Sequence, residues 1–194
     1  MSKSELNIHD RFDLKGVVIA PDLIKRSVDV VIETEEFYDY VSSKINVDRL
    51  GEVVFAVREN NKIWLTRQFE YPDGVYRIPS GGIGLEEPIL NALKREVQEE
   101  LGINIIDYKL IGFIEYKISY KEKLLDFYSF VFLIEKFSKD SEIETDGEIS
   151  EILPVEINNM KKYIDVLLNQ KGFWKDWGKL RYQSSHIIFE YLTL

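Results

Sequence analysis

The chain of 194 residues has no cysteine. Disulfides, thiolate zinc sites and cysteine nucleophiles are therefore excluded, and the composition suits a reducing, cytoplasmic setting. Basic residues are in deficit: 25 Lys and Arg stand against 34 Asp and Glu, for a formal net charge of −9. Duplex nucleic acid is held largely by Lys and Arg facing phosphate, so a sequence-independent duplex binder is not expected. A small anionic substrate remains compatible where cations screen the site. No apolar run is long enough to cross a membrane. The N-terminal segment MSKSELNIHDRFD lacks the apolar core of a signal peptide. There is no internal repeat, and only two histidines occur.

The chain is 45% hydrophobic and 30% charged, which supports one sizeable core. No Ser- or Gly-rich linker divides it, so residues 1–48 read as an N-terminal extension packed on, or swapped with, a main domain of residues 49–194. Short apolar runs at 17–20 and 28–32 read as two strands, and Thr34 as the N-cap of a helix over 35–45. Residues 52–58 and 62–69 form a hairpin around Glu59-Asn60-Asn61. A turn at 71–74 and a short strand at 75–78 lead into Pro79-Ser80. After a central helix come strands at 110–120 and 124–135, an acidic loop at 137–148, a strand at 149–157 and a helix at 158–169. The aromatic stretch 172–178 reads as a turn before a last helix at 181–192. Hairpin pairing with helices between and after predicts an α/β (α+β) fold: a mixed sheet with helices on both faces.

Residues 81–103 read GGIGLEEPILNALKREVQEELGI. Pro88 suits a first helical turn, where its missing N–H is not needed. Ile89, Leu93, Val97 and Leu101 make one apolar stripe, and Gly102 fits a left-handed stop. Glu96, Glu99 and Glu100 recur at i, i+3 and i+4, which places three carboxylates on one helical face. Their repulsion, roughly 0.2–0.5 kcal/mol per i,i+4 pair, becomes ligation when a divalent cation binds.

The same stretch can be written Gly81, five residues, Glu87, seven residues, then Arg95-Glu96-Val97-Gln98-Glu99-Glu100-Leu101-Gly102-Ile103. It matches the Nudix box at every fixed position, and the chain resembles a Nudix hydrolase. The resemblance implies an α/β/α sandwich and Mg²⁺-dependent hydrolysis of a pyrophosphate bond, with Mn²⁺ as a possible substitute. It makes Glu96 and Glu100 the principal metal ligands and Glu99 a residue that shares a metal or orients its waters. The backbone carbonyl of Ser80 is implied as a further ligand. Arg95 would hold the glutamates by salt bridges, and Gly81, Glu87 and Gly102 would be structural or outer members of the box. The chemistry agrees, because pyrophosphate cleavage needs neutralised phosphate oxygens and a water delivered in line. In the family a base often comes from a later loop or strand. Glu144, Asp146, Glu148 and Glu151 qualify here, with Glu148 favoured, and Glu115 is a further candidate. Homodimers are frequent among relatives.

RQFEYPDGVYRIPSGG loosely resembles the RQxRYP…ELPAGG segment of ADP-ribose and nucleotide-sugar pyrophosphatases. Arg67, Gln68, Tyr71 and Pro72 match, while Glu70 and Arg77 depart from it. The resemblance favours a nucleoside diphosphate linked to another moiety as substrate. GVYRIP also resembles GVWEFP of MutT-like, house-cleaning nucleoside-triphosphate pyrophosphohydrolases. A non-catalytic sensor domain is the third reading, although such domains often lose box residues and this box is complete. Phe69, Tyr71 and Tyr76 are candidates to stack on a base, and Arg67 and Arg77 to meet phosphate. Trp174, Trp177, Arg181 and His186 form a C-terminal cluster without an assigned role.

Overall fold

A computed structural model describes residues 12–47, 49–139 and 147–194. In chain order the elements are β1 (Ile19–Val31), α1 (Glu35–Val47), β2 (Arg49–Glu59), β3 (Lys62–Gln68), β4 (Ser80–Gly84) and α2 (Ile89–Leu101). They continue with β5 (Ile103–Tyr120), β6 (Lys123–Lys139), β7 (Ile149–Glu156), a 3-10 turn (Ile157–Asn159), α3 (Met160–Leu168) and α4 (Phe173–Thr193). The strands lie in the order β1-β5-β6-β2-β3-β7, and β4 pairs with β2. β1 runs parallel to β5 and β2 parallel to β6, while the other pairings are antiparallel. The sheet is therefore mixed, as the sequence predicts.

The pleat sorts the core into two layers. Val53, Phe55 and Val57 of β2, with Phe130 and Phe132 of β6, pack on the apolar stripe of α2. The alternate residues Val54, Ala56, Val131 and Leu133 face Phe37, Ile164 and Ile187 of α1, α3 and α4. One helix on one face and three on the other make an α/β/α sandwich. Gly102 closes α2 in the left-handed conformation at φ 62°, with its N–H donating to the Gln98 carbonyl. No helix among the described residues is long and apolar enough to cross a membrane.

Several boundaries differ from expectation. The two short strands expected at 17–20 and 28–32 are one strand, β1, whose register against β5 breaks between Ile19 and Ile24. Pro21 is tolerated because β1 is an edge strand. The segment 75–78 is not a strand; Arg77 alone bridges to Thr66. Phe137, Ser138 and Lys139 extend β6 rather than opening the acidic loop, and Glu144 and Asp146 lie outside the described residues. Thr34 stands where an N-cap belongs, since its carbonyl accepts from the Tyr38 N–H at 3.2 Å. Its hydroxyl instead donates to Asp176 at 2.8 Å.

The stretch 172–178 is not a turn, because α4 begins at Phe173. Gly178 is there for contact. A Cβ on it would stand 2.0 Å from the backbone carbonyl oxygen of Leu167, so its lack of a side chain sets how closely α3 and α4 cross. Gly178→Ala is expected to force these helices apart and cost roughly 1–3 kcal/mol. Chemical denaturation would show this as a lower midpoint, and an unchanged midpoint would mean the crossing adapts freely.

Candidate active site

Arg95 is the hub of the box. Its Nε and Nη2 form a two-pronged pair with the Glu87 carboxylate at 3.0 and 2.9 Å, and Nη2 also donates to the Gly82 carbonyl at 3.0 Å. Its Nη1 reaches Glu96 at 2.8 Å and Glu99 at 3.0 Å. Hydrogen bonding to Glu87 holds the guanidinium firmly cationic against the opposing effect of burial, and Glu96 adds to this. The same contact holds the Glu87 carboxyl below its usual range. Glu87 also accepts the Gly84 N–H at 2.9 Å, which ties the turn after β4 to α2.

Gly81 explains itself by what lies over it. A Cβ there would fall 1.9 Å from the Glu96 carboxylate, so the carboxylate occupies the space a side chain would fill. Burial pushes the Glu96 carboxyl above the usual range, against the pull of Arg95. Gly81→Ala would push aside the end of a flexible side chain rather than backbone, so its stability cost is small. Activity is expected to fall about 10-fold or more, the scale set by misplacing a reacting group by an ångström. Steady-state kinetics beside a melting curve separates the two effects, and unchanged kcat would mean that the Glu96 position is not needed.

The box opens into a cavity of about 850 Å³. Glu96, Glu99, Glu100 and Arg95 line one side, beside Ser80 and Gly81. Glu148 lines it too, from the start of the segment leading into β7, and accepts a bond from Gln68 Nε2 at 3.3 Å. Glu151 instead faces Tyr76, whose hydroxyl donates to it at 2.8 Å, and neither Glu151 nor Glu115 lines the cavity. Among the described residues no three acidic or histidine side chains converge on one point, because Glu87, Glu96 and Glu99 are arrayed around Arg95.

Beneath the cavity lies a buried polar network. Glu52 accepts from Ser129 at 2.6 Å, Ser80 at 3.1 Å and Arg181 Nη1 at 2.5 Å. Arg181 also donates to the Ser80 hydroxyl at 3.0 Å. Arg77 donates to the same hydroxyl at 2.9 Å, to Tyr71 at 2.5 Å and to the Ile78 carbonyl at 3.1 Å. Burial alone would raise the Glu52 carboxyl, but Arg181, Ser129 and Arg77 outweigh it and keep it ionised.

The expected substrate contacts divide. Phe69, Tyr71 and Arg77 border the cavity, but Tyr71 and Arg77 are buried and held mainly by each other and by Ser80. Arg67 and Tyr76 are not at the cavity. Arg67 turns to the Tyr71 carbonyl and Asp73, and Tyr76 packs edge-on against Tyr163 of α3. The pleat is the reason, since Gln68, adjacent to Arg67, takes the cavity side. The C-terminal cluster also divides. Trp174, Trp177 and Arg181 line the cavity, whereas His186 stacks on Tyr182 and bonds Arg26 at 3.1 Å. Sequence reasoning missed Glu52, Arg49, Tyr40 and Lys44, all of which line the cavity. Only Glu52 carried a signal: a carboxylate opening the apolar run EVVFAV.

A family model described as the NUDIX domain matches residues 49–169, more than half of the chain. The chain belongs to the NUDIX family. An 8-oxo-dGTP diphosphatase from Buchnera aphidicola subsp. Acyrthosiphon pisum (strain APS) is 36% identical over 70 residues, which make up 36% of this chain and 54% of that protein. The chain thus spans about half the length of that curated relative. A NUDIX hydrolase from Nitrosomonas europaea aligns over 69% of this chain and 90% of its own, at 17% identity and a TM-score of 0.50. A structure titled as an ADP compounds hydrolase aligns over 74% and 72% of the two chains, at 16% identity and a TM-score of 0.51. At these identities the likeness is one of fold. The family match stops at residue 169, so α1 and α4 lie outside it although both line the cavity.

Proposed function

We propose that the chain is a divalent-metal-dependent pyrophosphohydrolase acting on a small nucleotide substrate, with Mg²⁺ as its cofactor. The observation that carries this is the complete box, folded around Arg95, on the wall of a cavity of about 850 Å³. The donor set fits a hard cation. It consists of oxygens alone, and Glu96 and Glu99 lie side by side because they share one Arg95 nitrogen. Glu96, Glu99 and Glu100, with the Ser80 carbonyl, are the residues proposed to hold it. When bound, the cation would screen phosphate charge and make a coordinated water more acidic.

The protein's own groups do the rest. The apolar stripe of α2 is buried, and Arg95, anchored by Glu87 and Gly82, holds Glu96 and Glu99 in place without substrate. Arg77 and Arg181 beneath Ser80 offset part of the carboxylate charge on this side of the cavity. Glu148 is proposed as the base that takes the proton from the attacking water: among the described residues, Glu148 lines the cavity whereas Glu151 and Glu115 do not.

For the substrate, a nucleoside diphosphate linked to a second group, of ADP-ribose or nucleotide-sugar type, is favoured. The matching residues Gln68 and Tyr71 border a cavity near the upper end of ordinary small-molecule sites. A nucleoside triphosphate is the second reading, favoured by the 36% identity to an 8-oxo-dGTP diphosphatase. Product analysis separates them. A linked diphosphate yields two monophosphates, whereas a triphosphate cut between its α and β phosphates yields a nucleoside monophosphate and pyrophosphate. Cleavage of neither class with Mg²⁺ or Mn²⁺ would overturn the reading.

A further inference from the structure

Two helices outside the family match bring aromatic rings to the cavity. Tyr40 comes from α1, and Phe173 and Trp174 open α4. Tyr40 and Phe173 pack edge-on at 5.6 Å, Phe173 and Trp174 at 5.2 Å, and Trp174 and Trp177 at 5.3 Å. The Arg181 guanidinium then stands 5.9 Å from the Trp177 ring and bonds the Ser80 hydroxyl. Ser80 precedes Gly81, against which the Glu96 carboxylate lies. Along this path the lining passes from aromatic rings, through the Arg181 guanidinium and its partner Glu52, to the carboxylates of α2.

That order has a chemical counterpart. A nucleotide presents an aromatic base, then a sugar, then anionic phosphate, and any cation sits at the phosphate end. Base faces stack on aromatic rings, and a guanidinium donates hydrogen bonds to phosphate oxygens. Trp177 and Tyr71 are buried and back the wall, whereas Tyr40 is 44% exposed and Phe69, on the rim, is 78% exposed. An aromatic side chain left that open at a cavity mouth has ring surface to offer a ligand.

We propose that Tyr40, Phe173 and Trp174 form a nucleobase subsite, with Phe69 as a stacking side chain on its rim. The substrate's base then lies between α1 and α4, and its phosphates lie over Ser80 toward α2. This rests on the hydrolase reading and deepens it. The base is held mainly by α1 and α4, which lie outside the segment shared with the family model, and Phe69 is the one subsite residue inside that segment.

The test compares ligands with and without a base. Calorimetric titration with ADP and with inorganic pyrophosphate would be run on the wild type and on Tyr40→Ala, Phe69→Ala and Trp174→Ala. ADP is expected to bind the wild type at least about 10-fold more tightly than the alanine variants, and pyrophosphate equally to all. Tyr40→Phe keeps the ring and should keep ADP affinity, and melting curves of Tyr40→Ala and Phe69→Ala separate a lost stacking surface from a lost fold. Tyr40 and Phe69 are exposed enough that their variants will fold, and a melting curve checks Trp174→Ala. Equal ADP affinity in wild type, Tyr40→Ala and Phe69→Ala would overturn the subsite, even if pyrophosphate bonds are cleaved. Loss of affinity for ADP in these variants, in a protein that cleaves no pyrophosphate bond, would sustain the subsite and sink the hydrolase.

Discussion

Glu100→Gln is expected to lower kcat by roughly 10²-fold or more while the melting temperature hardly moves. Losing an outer-shell partner of a metal ligand commonly costs 10–100-fold, and losing a proposed ligand costs at least as much. The substitution keeps shape and removes charge. Glu100 is buried on α2 and lines the cavity, and its charge attracts Arg77. Removing it forfeits that attraction but relieves repulsion from Glu96 one turn away, so the net change in stability stays within about 1 kcal/mol. Glu122→Gln, in the exposed turn between β5 and β6, serves as the control and should leave kcat unchanged. Wild-type kcat in Glu100→Gln would remove this residue from the site.

The second large effect concerns stability and lies away from the cavity. Asp176 is completely buried and gathers four donors: the N–H groups of Glu33 and Thr34 at 3.0 and 2.9 Å, the Thr34 hydroxyl at 2.8 Å, and Lys179 at 2.8 Å. It joins the end of β1 and the start of α1 to the first turn of α4. Asp176→Ala leaves these donors without their acceptor and is expected to cost about 3–5 kcal/mol, a large share of a typical domain's stability. Burial alone would raise this carboxyl, but Lys179, Thr34 and Glu33 together hold it below its ordinary value of 3.8. A lowered folded value means that the contribution is complete above about pH 3.8. It is lost as pH falls through the lower, folded value. The gap between wild type and Asp176→Asn should therefore be wide at pH 7 and close in strong acid. Denaturant titrations at several pH values measure it, and a gap independent of pH would contradict the assignment.

How much of this the sequence carried depends on range. The box was legible because helical periodicity is local: one turn of α2 decides where Glu96, Glu99 and Glu100 point. The link between Arg95 and the glutamates comes from the resemblance to the Nudix box, and only its pair with Glu99, at i,i+4, follows from helical spacing. The sandwich was legible too, since Val53 to Val57 are apolar at every position, as a strand covered on both faces must be. Position 178 misled because glycine serves two ends. It was read as a turn, and it is a contact. Arg67 and Tyr76 misled because a motif does not say which face of the chain reaches the cavity. Tyr40 and Trp174 lie 134 positions apart, and only the packing of α1 beside α4 brings their segments together at one wall. Glu52 finds Arg181 by the same long-range route.

Phosphorus NMR of the wild-type protein with ADP-ribose, a nucleotide sugar and a nucleoside triphosphate tests the central claim most directly. With Mg²⁺, the anhydride resonances of at least one substrate should give way to monophosphate or pyrophosphate signals. Excess EDTA should stop the conversion, and added Mg²⁺ should restart it. Anhydride signals that persist with both Mg²⁺ and Mn²⁺, or that decay equally in EDTA, would contradict a metal-dependent pyrophosphohydrolase built on this box.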